Sequence, residues 1–277
     1  MNLLCCNVYE TKTKRASHLR ASVRHNFNGK QMHTCKYILG NKFPISGYCL
    51  FGQKLYFCLK YQISRQMNKR GFVSKILQNF RKPEGFFGRM ILWGMNTGHA
   101  SLAQWGMSCL QWQPEWSVLD IGCGGGANLL QILQRCPQGK AYGIDISPES
   151  VTFARKKNKK YLGTRCFIEQ GGVHRLPYPD YAFDAVTAFE TVYFWGNLQH
   201  AFTEVARVLK PGGSFLICCE ISDPANKAWT GLVEGMEIHS CDELKAILSK
   251  SGFTDTAIFR TKKEELCLVS HRQTVRL

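Results

Sequence analysis

Apolar residues in the second half of the chain follow two rhythms that alternate. Short, almost uninterrupted apolar runs occur at SVLDIGC (117–123), KAYGIDIS (140–147), RCFIEQ (165–170), FDAVTAFE (183–190) and SFLICCEI (214–221). Between them, apolar positions recur every third or fourth residue, as in Ala201, Val205, Val208 and Leu209. The first rhythm predicts strands buried on both faces, and the second predicts helices with one apolar stripe. Local signals bracket these elements. A helix is expected over Ala127–Arg135, and Ser147-Pro148 reads as an N-cap followed by proline at the first helical position, opening a helix through Val151, Phe153 and Ala154. Ser240 to Glu243 matches the S-x-x-E capping box ahead of Leu244, Ile247 and Leu248. The helix through Ala201 is expected to end at Lys210-Pro211-Gly212-Gly213, with glycine at its C-terminal boundary. TDTAIFRTK and ELCLVSHR close the chain as two strands near enough to form a hairpin. The alternation predicts an α/β fold, a parallel sheet with helices on both faces and an antiparallel edge.

The first half reads differently. Residues 1–66 show no sustained period, and they carry eleven Lys and Arg against the single acid Glu10. Most of the formal charge of +16 therefore lies there. This segment is expected to be a basic, disordered or non-functional extension, with an ordinary domain beginning near Met67. Contact with nucleic acid through residues 1–66 is the alternative its charge leaves open. Phe72, Val73, Ile76, Leu77 and Phe80 sit at helical spacing and Pro83 ends that run. Residues 67–116 are then expected to be N-terminal helices forming a lid or entrance, and 117–277 the ligand-binding domain. The apolar stretch Phe43–Leu59 is broken by Pro44, Gln53 and Lys54, and the N-terminus lacks the apolar core of a signal peptide. A cytoplasmic protein without a membrane partner is expected. The 13 cysteines include no C-x-x-C pair, so reduced thiols and no metal are expected.

The chemistry concentrates at Val118-Leu119-Asp120-Ile121-Gly122-Cys123-Gly124-Gly125-Gly126. A glycine-rich turn between a strand and its helix lets a ligand approach the backbone. Gly122, Gly124 and Ala127 also satisfy the dinucleotide fingerprint G-x-G-x-x-G/A, so the glycines alone do not decide between ligands. Asp120 separates the readings. A carboxylate just before the first glycine repels a pyrophosphate and attracts a cationic amino-acid end. Asp145 follows 19 residues after Gly126, at the end of the second strand, where a carboxylate can accept both hydroxyls of a ribose.

With VLDIGCGGG, YGIDIS, LPYPDYAFD (176–184) and EVARVLKPGGSF (204–215) in this order, the stretch from about Gly88 to Phe253 resembles the small class I S-adenosylmethionine-dependent methyltransferases. The resemblance implies a Rossmann-like class I methyltransferase fold: a central, mostly parallel seven-stranded sheet with an antiparallel edge strand and helices on both faces. It implies S-adenosyl-L-methionine as co-substrate, lying over the carboxyl ends of the central strands. Asp120 and Gly122 would lie along its methionine part with Gly124 and Gly126 nearby. Asp145 would hold the ribose, and Ile146 would pack on the adenine. One departure stands out. Many members carry Asp in a G-D-A/V unit after the third strand, where it accepts from the adenine amino group. Here that unit is Gly171-Gly172-Val173, so the Gly172 position lacks the carboxylate and only the Val173 amide remains to bond the ring.

A sulfonium methyl is already activated, so the protein mainly has to align an acceptor for in-line displacement in a water-poor pocket. Glu190, at the carboxyl end of the fourth strand, and the FETVYFW segment that contains it are expected to line the cofactor and acceptor site. Glu190 and His99 are the candidate bases for an acceptor that must lose a proton. His174, in a loop, and His200, on a helix face, are weaker candidates, and RKKNKK (155–160) reads as a solvated helix end. The chain lacks the N/D-P-P-Y/F segment of amino-group DNA methyltransferases after its fourth strand. A small-molecule methyl acceptor is therefore favoured. An RNA or protein methyltransferase using the basic arm, a non-catalytic S-adenosylmethionine-binding protein and a NAD-linked Rossmann enzyme are the alternatives; no oligomeric state is predicted.

Overall fold

The computed structural model describes residues 100–226, 230, 233 and 235–274. His99, the helical run ending at Pro83 and the basic residues 1–66 lie outside the described residues. In chain order the elements are α1 (Ala100–Ser108), β1 (Ser117–Ile121), α2 (Ala127–Arg135), β2 (Lys140–Asp145), α3 (Pro148–Lys157) and β3 (Cys166–Gln170). They continue with β4 (Phe183–Phe189), a short 3-10 turn (Val192–Phe194), α4 (Leu198–Val208), β5 (Leu209–Cys219), α5 (Cys241–Lys250), β6 (Phe253–Arg260) and β7 (Leu266–Arg272). Seven strands form one sheet in the order β3-β2-β1-β4-β5-β7-β6. The pairings from β3 through β5 are parallel. The terminal hairpin supplies the antiparallel pairings, with β7 between β5 and the outermost strand β6.

Strand periodicity explains why the apolar runs are continuous. Val118 of β1 packs with Ala185, Leu216 and Val269 on the face covered by α1, α2 and α3, through Met107, Leu129 and Ala154. Leu119, one residue on, packs with Val186, Phe215 and Leu268 on the opposite face, beneath Phe202 of α4 and Leu248 of α5. Successive strand side chains point to opposite faces, so a sheet covered twice needs apolar residues at both parities. Each fully buried Leu, Ile or Phe contributes about 1.5–3 kcal/mol relative to exposure.

The predicted helix starts form as expected. Ser147 Oγ accepts from the Ser150 amide with Pro148 following, and Ser240 and Glu243 make both bonds of the capping box. The end of α4 differs from expectation. Its last residue is Val208, and Leu209 is already extended and pairs with Phe183, so Lys210-Pro211-Gly212-Gly213 belongs to β5 rather than to a helix cap. Pro211 disfavours helical backbone at Lys210, and the sheet takes over the chain directly. Gly212, at φ 75°, lies in the irregular stretch between the Phe183–Leu209 and Ala185–Ser214 pairings. Among the described residues, no helix is long and apolar enough to cross a membrane.

Candidate functional site

The chain adds β2 and β3 on one side of β1 and then returns to place β4 on the other side. Such a reversal opens a crevice at the carboxyl ends of the strands, here between β1 and β4. The loop after β1 enters it. Its Gly122 and Cys123 amides both donate to the Ile144 carbonyl, at 2.8 and 3.1 Å. Gly122, Gly124 and Gly126 have φ of 73°, 50° and 73°, values that a side chain would oppose.

Two of these glycines answer to the protein's own packing. A Cβ on Gly122 would lie 2.3 Å from Cγ2 of Thr191, the residue after Glu190. A Cβ on Gly126 would lie 2.6 Å from Asn158 Nδ2 and 2.8 Å from Ala154 Cβ. Asn158, buried at the end of α3, donates through Nδ2 to the Gly126 carbonyl at 3.0 Å and fastens the loop to that helix. Its place in RKKNKK gave no signal of this task. The neighbouring Arg155, Lys156 and Lys157 form the basic last turn the sequence predicted, with Arg155 donating to the Ile168 carbonyl.

Asp120 and Asp145 stand at the carboxyl ends of adjacent strands. Asp145 accepts from the Gly124 amide through Oδ2 at 2.9 Å and from the Ser147 amide through Oδ1 at 2.8 Å. Burial raises its titration, and those two amides oppose the rise. Each carboxylate oxygen can accept more than one bond, so capacity remains for a ligand hydroxyl. Asp120 is 1% exposed. Thr187 Oγ1 donates to its Oδ1 at 2.7 Å, while Oδ2 is buried without a hydrogen-bond partner. Burial pushes Asp120 up to about 7; the Thr187 bond opposes the rise, Asp145 adds to it, and the nearby Asn128 side chain opposes it more weakly. Thr187, the residue opposite Asp120 in the β1–β4 register, was detectable as a polar side chain within the apolar stretch Ala185–Phe189.

Ile146, just beyond Asp145, is 43% exposed, an apolar surface left open at the rim. Gly171 is required by packing, since a Cβ there would meet Ile144 Cδ1 at 2.8 Å. A Cβ on Gly172 would meet only Ile146 Cγ2, at 3.5 Å. Val173 is buried in the core beside them.

On the far side of the crevice, Glu190 follows β4 directly with φ 60°, an unusual backbone state for a residue with a side chain. Its amide donates to the Cys218 carbonyl at 2.9 Å. Its Oε1 accepts from the Glu220 amide and from the Tyr193 hydroxyl, the latter at 3.2 Å. The FETVYFW segment divides here. Phe189, Val192, Tyr193 and Trp195 are buried in the core, with Trp195 packed among Phe202 and Phe215. Glu190, Thr191 and Phe194 are the half-buried members. The expectation that the whole segment lines the site is thus narrowed by ordinary core packing. His174 Nε2 lies 2.6 Å from the Trp195 carbonyl, and its ring stacks on His200 at 5.2 Å. No group of His, Cys, Asp and Glu that could hold a metal occurs among the described residues, and their eight cysteines are free.

The arrangement fits S-adenosylmethionine on its own chemistry. The unpaired Asp120 oxygen suits an ammonium, Asp145 suits a ribose, and the exposed Ile146 suits a flat heterocycle. Residues 119–217 match the family model described as a methyltransferase domain. A demethylmenaquinone methyltransferase of Deinococcus radiodurans is 37% identical over 110 residues, covering 39% of this chain and 44% of that protein. A ubiquinone/menaquinone biosynthesis C-methyltransferase of Geobacter sulfurreducens is 27% identical over 201 residues, covering 62% of this chain and 77% of that protein. The matches to the first three curated relatives span only 44%, 46% and 42% of their lengths. The fold also matches a SAM-dependent methyltransferase of Aquifex aeolicus with a TM-score of 0.52 at 20% identity, covering 61% of this chain and 88% of that one. Residues 119–217 therefore carry the methyltransferase-domain match, and the fold is the Rossmann-like one of solved S-adenosylmethionine-dependent methyltransferases.

Proposed function

We propose that this protein transfers a methyl group from S-adenosylmethionine to a small-molecule acceptor with an apolar body. The observation that carries the proposal is the half-paired, buried Asp120 carboxyl beside Asp145 at the strand ends. When bound, S-adenosylmethionine supplies a methyl group already activated on a sulfonium. Asp120 would take its ammonium, and Asp145 its ribose hydroxyls. Ile146, Gly172 and Val173 would border the adenine, and Gly122, Gly124 and Gly126 would shape the loop along the methionine portion. Glu190 faces the reacting end; for a hydroxyl or carbon-acid acceptor it takes the proton, with His99 the alternative base. The apolar character of the acceptor is read from Phe194, Ile221 and Met236, half-buried residues packed on the core around the segments that follow β4 and β5. A relative named for demethylmenaquinone supports the same chemical class.

Residues 67–116 are proposed to form the lid or entrance and 117–277 the binding domain. Residues 1–66 are not required for turnover in this proposal, and the cytoplasm is the site of action. Calorimetric titration with S-adenosylmethionine and NAD side by side tests the ligand, and labelled-methyl transfer into an extract then tests the acceptor class. Uptake of S-adenosylmethionine alone, abolished in a D120A/D145A variant, is expected. Uptake of NAD, or an unaffected double variant, would overturn the proposal.

A further inference from the structure

Glu190 holds an unfavourable backbone angle while its carboxylate is gripped from two directions. A non-glycine residue at positive φ is strained and persists only where its surroundings over-determine it. The surroundings here converge on one side chain. The Tyr193 hydroxyl is 3.2 Å from Glu190 Oε1, accepts from the Ile221 amide at 3.0 Å and lies 3.1 Å from the Ile221 carbonyl. The Tyr193 carbonyl accepts from the Glu237 amide at 2.8 Å. Tyr193 thus joins the end of β4 to the segment that leaves β5 and to the stretch just before α5.

We propose that Tyr193 is a positioning residue: its hydroxyl orients the Glu190 carboxylate toward the reacting end of the ligand and docks the segment after β5 against it. The proposal rests on the reading of Glu190 given above. The hydroxyl carries one proton and has two acceptors in reach, Glu190 Oε1 and the Ile221 carbonyl. A hydrogen bond to an ionised acceptor is roughly twice as strong as one between neutral groups, so the proton goes to Glu190 when that carboxylate is charged. Burial, followed by the nearby Cys219 and Glu190, raises the Tyr193 phenol well above its ordinary titration, so it remains a donor wherever the protein is folded.

S-Adenosylmethionine and S-adenosylhomocysteine separate orientation from mere stability, because they differ only in one methyl group and one positive charge. Calorimetry on the full chain gives the ratio of their dissociation constants, which reports how well a carboxylate faces the sulfonium. Glu190→Gln is expected to lower the preference for S-adenosylmethionine by about fivefold. Tyr193→Phe is expected to lower it by about two- to threefold, with the double variant no lower than Glu190→Gln alone. If Tyr193→Phe fails to fold, 3-fluorotyrosine at position 193, a stronger donor of the same shape, is expected to raise the preference. An unchanged ratio for the Tyr193 substitutions beside a lowered one for Glu190→Gln overturns the positioning role and leaves the reading of Glu190 standing. An equal weakening of both ligands by Tyr193→Phe also overturns it. An unchanged ratio for Glu190→Gln removes that reading and the proposal with it.

Discussion

Replacing Asp120 by asparagine removes a charge that the fold retains at a cost. The folded carboxyl titrates near 7 against 3.8 for a free aspartate, with burial as the leading cause. Well below pH 3.8 the folded and unfolded states are both protonated, and burial of the acid carries no ionic penalty. As pH rises past 3.8 the unfolded chain releases this proton while the folded chain keeps it, so stability declines. The decline levels off above about 7, once the buried group also ionises. Moving one titration over that range corresponds to about 4 kcal/mol. Asparagine keeps an oxygen for the Thr187 hydroxyl and presents an amide where Oδ2 now lacks a partner. The protonated acid also has an unpaired group at that position, so the two proteins should be nearly equal near pH 3 and differ by only about 1 kcal/mol at pH 4.5. At pH 8 the variant should be more stable by about 2–4 kcal/mol in the absence of ligand, because its amide cannot ionise. Urea unfolding at pH 4.5, 6 and 8 measures this, and S-adenosylmethionine titration at pH 8 should show weaker binding by the variant. A stability difference that does not change between pH 4.5 and 8 would refute the reasoning.

Gly172→Asp should fit without loss of stability, since its Cβ meets only Ile146 Cγ2 at 3.5 Å, and should tighten S-adenosylmethionine about tenfold by supplying an acceptor for the adenine amino group; calorimetry beside a melting curve checks both halves. Gly122→Ala should destabilise by at least about 2 kcal/mol, because its φ is 73° and its Cβ would meet Thr191 Cγ2 at 2.3 Å. Adding Thr191→Ser, which deletes that methyl, should recover part of the loss in thermal unfolding. Ser240→Ala should cost about 1 kcal/mol in the urea midpoint by removing the capping box of α5, whereas ligand affinity should not change.

The candidate site was legible where its chemistry is local. Asp120 and Asp145 could be picked out because each lies at or next to the end of a strand run that the apolar pattern marks out, and Gly172 because a family motif has a gap there. Glu190 was found in the same way, but its company was not. FETVYFW looked like one aromatic lining, yet the 3-10 turn sends Val192 into the core and Trp195, just after it, against Phe202 and Phe215. Lys210-Pro211-Gly212-Gly213 carries the residues of a helix end, but pairing of Leu209 with Phe183 claims it for the sheet. Sheet pairing outweighed the local preference there.

By itself, the sequence determined the α/β alternation, the helix starts at Ser147 and Ser240, the terminal hairpin and the carboxylates at the strand ends. These follow from periodicity and from contacts within a few residues. Only the tertiary structure decided that Thr187 holds one oxygen of Asp120, that Thr191 fills the space at Gly122, that Asn158 fastens Gly126, and that Tyr193 grips Glu190 from the core. Apart from the short Tyr193–Glu190 link, which depends on a 3-10 turn, these partners lie 32 to 69 residues apart in the chain. No local pattern records such meetings: the reversal of strand order around β1 brings Thr187 and Thr191 to it, and the packing of α3 beside the loop after β1 brings Asn158.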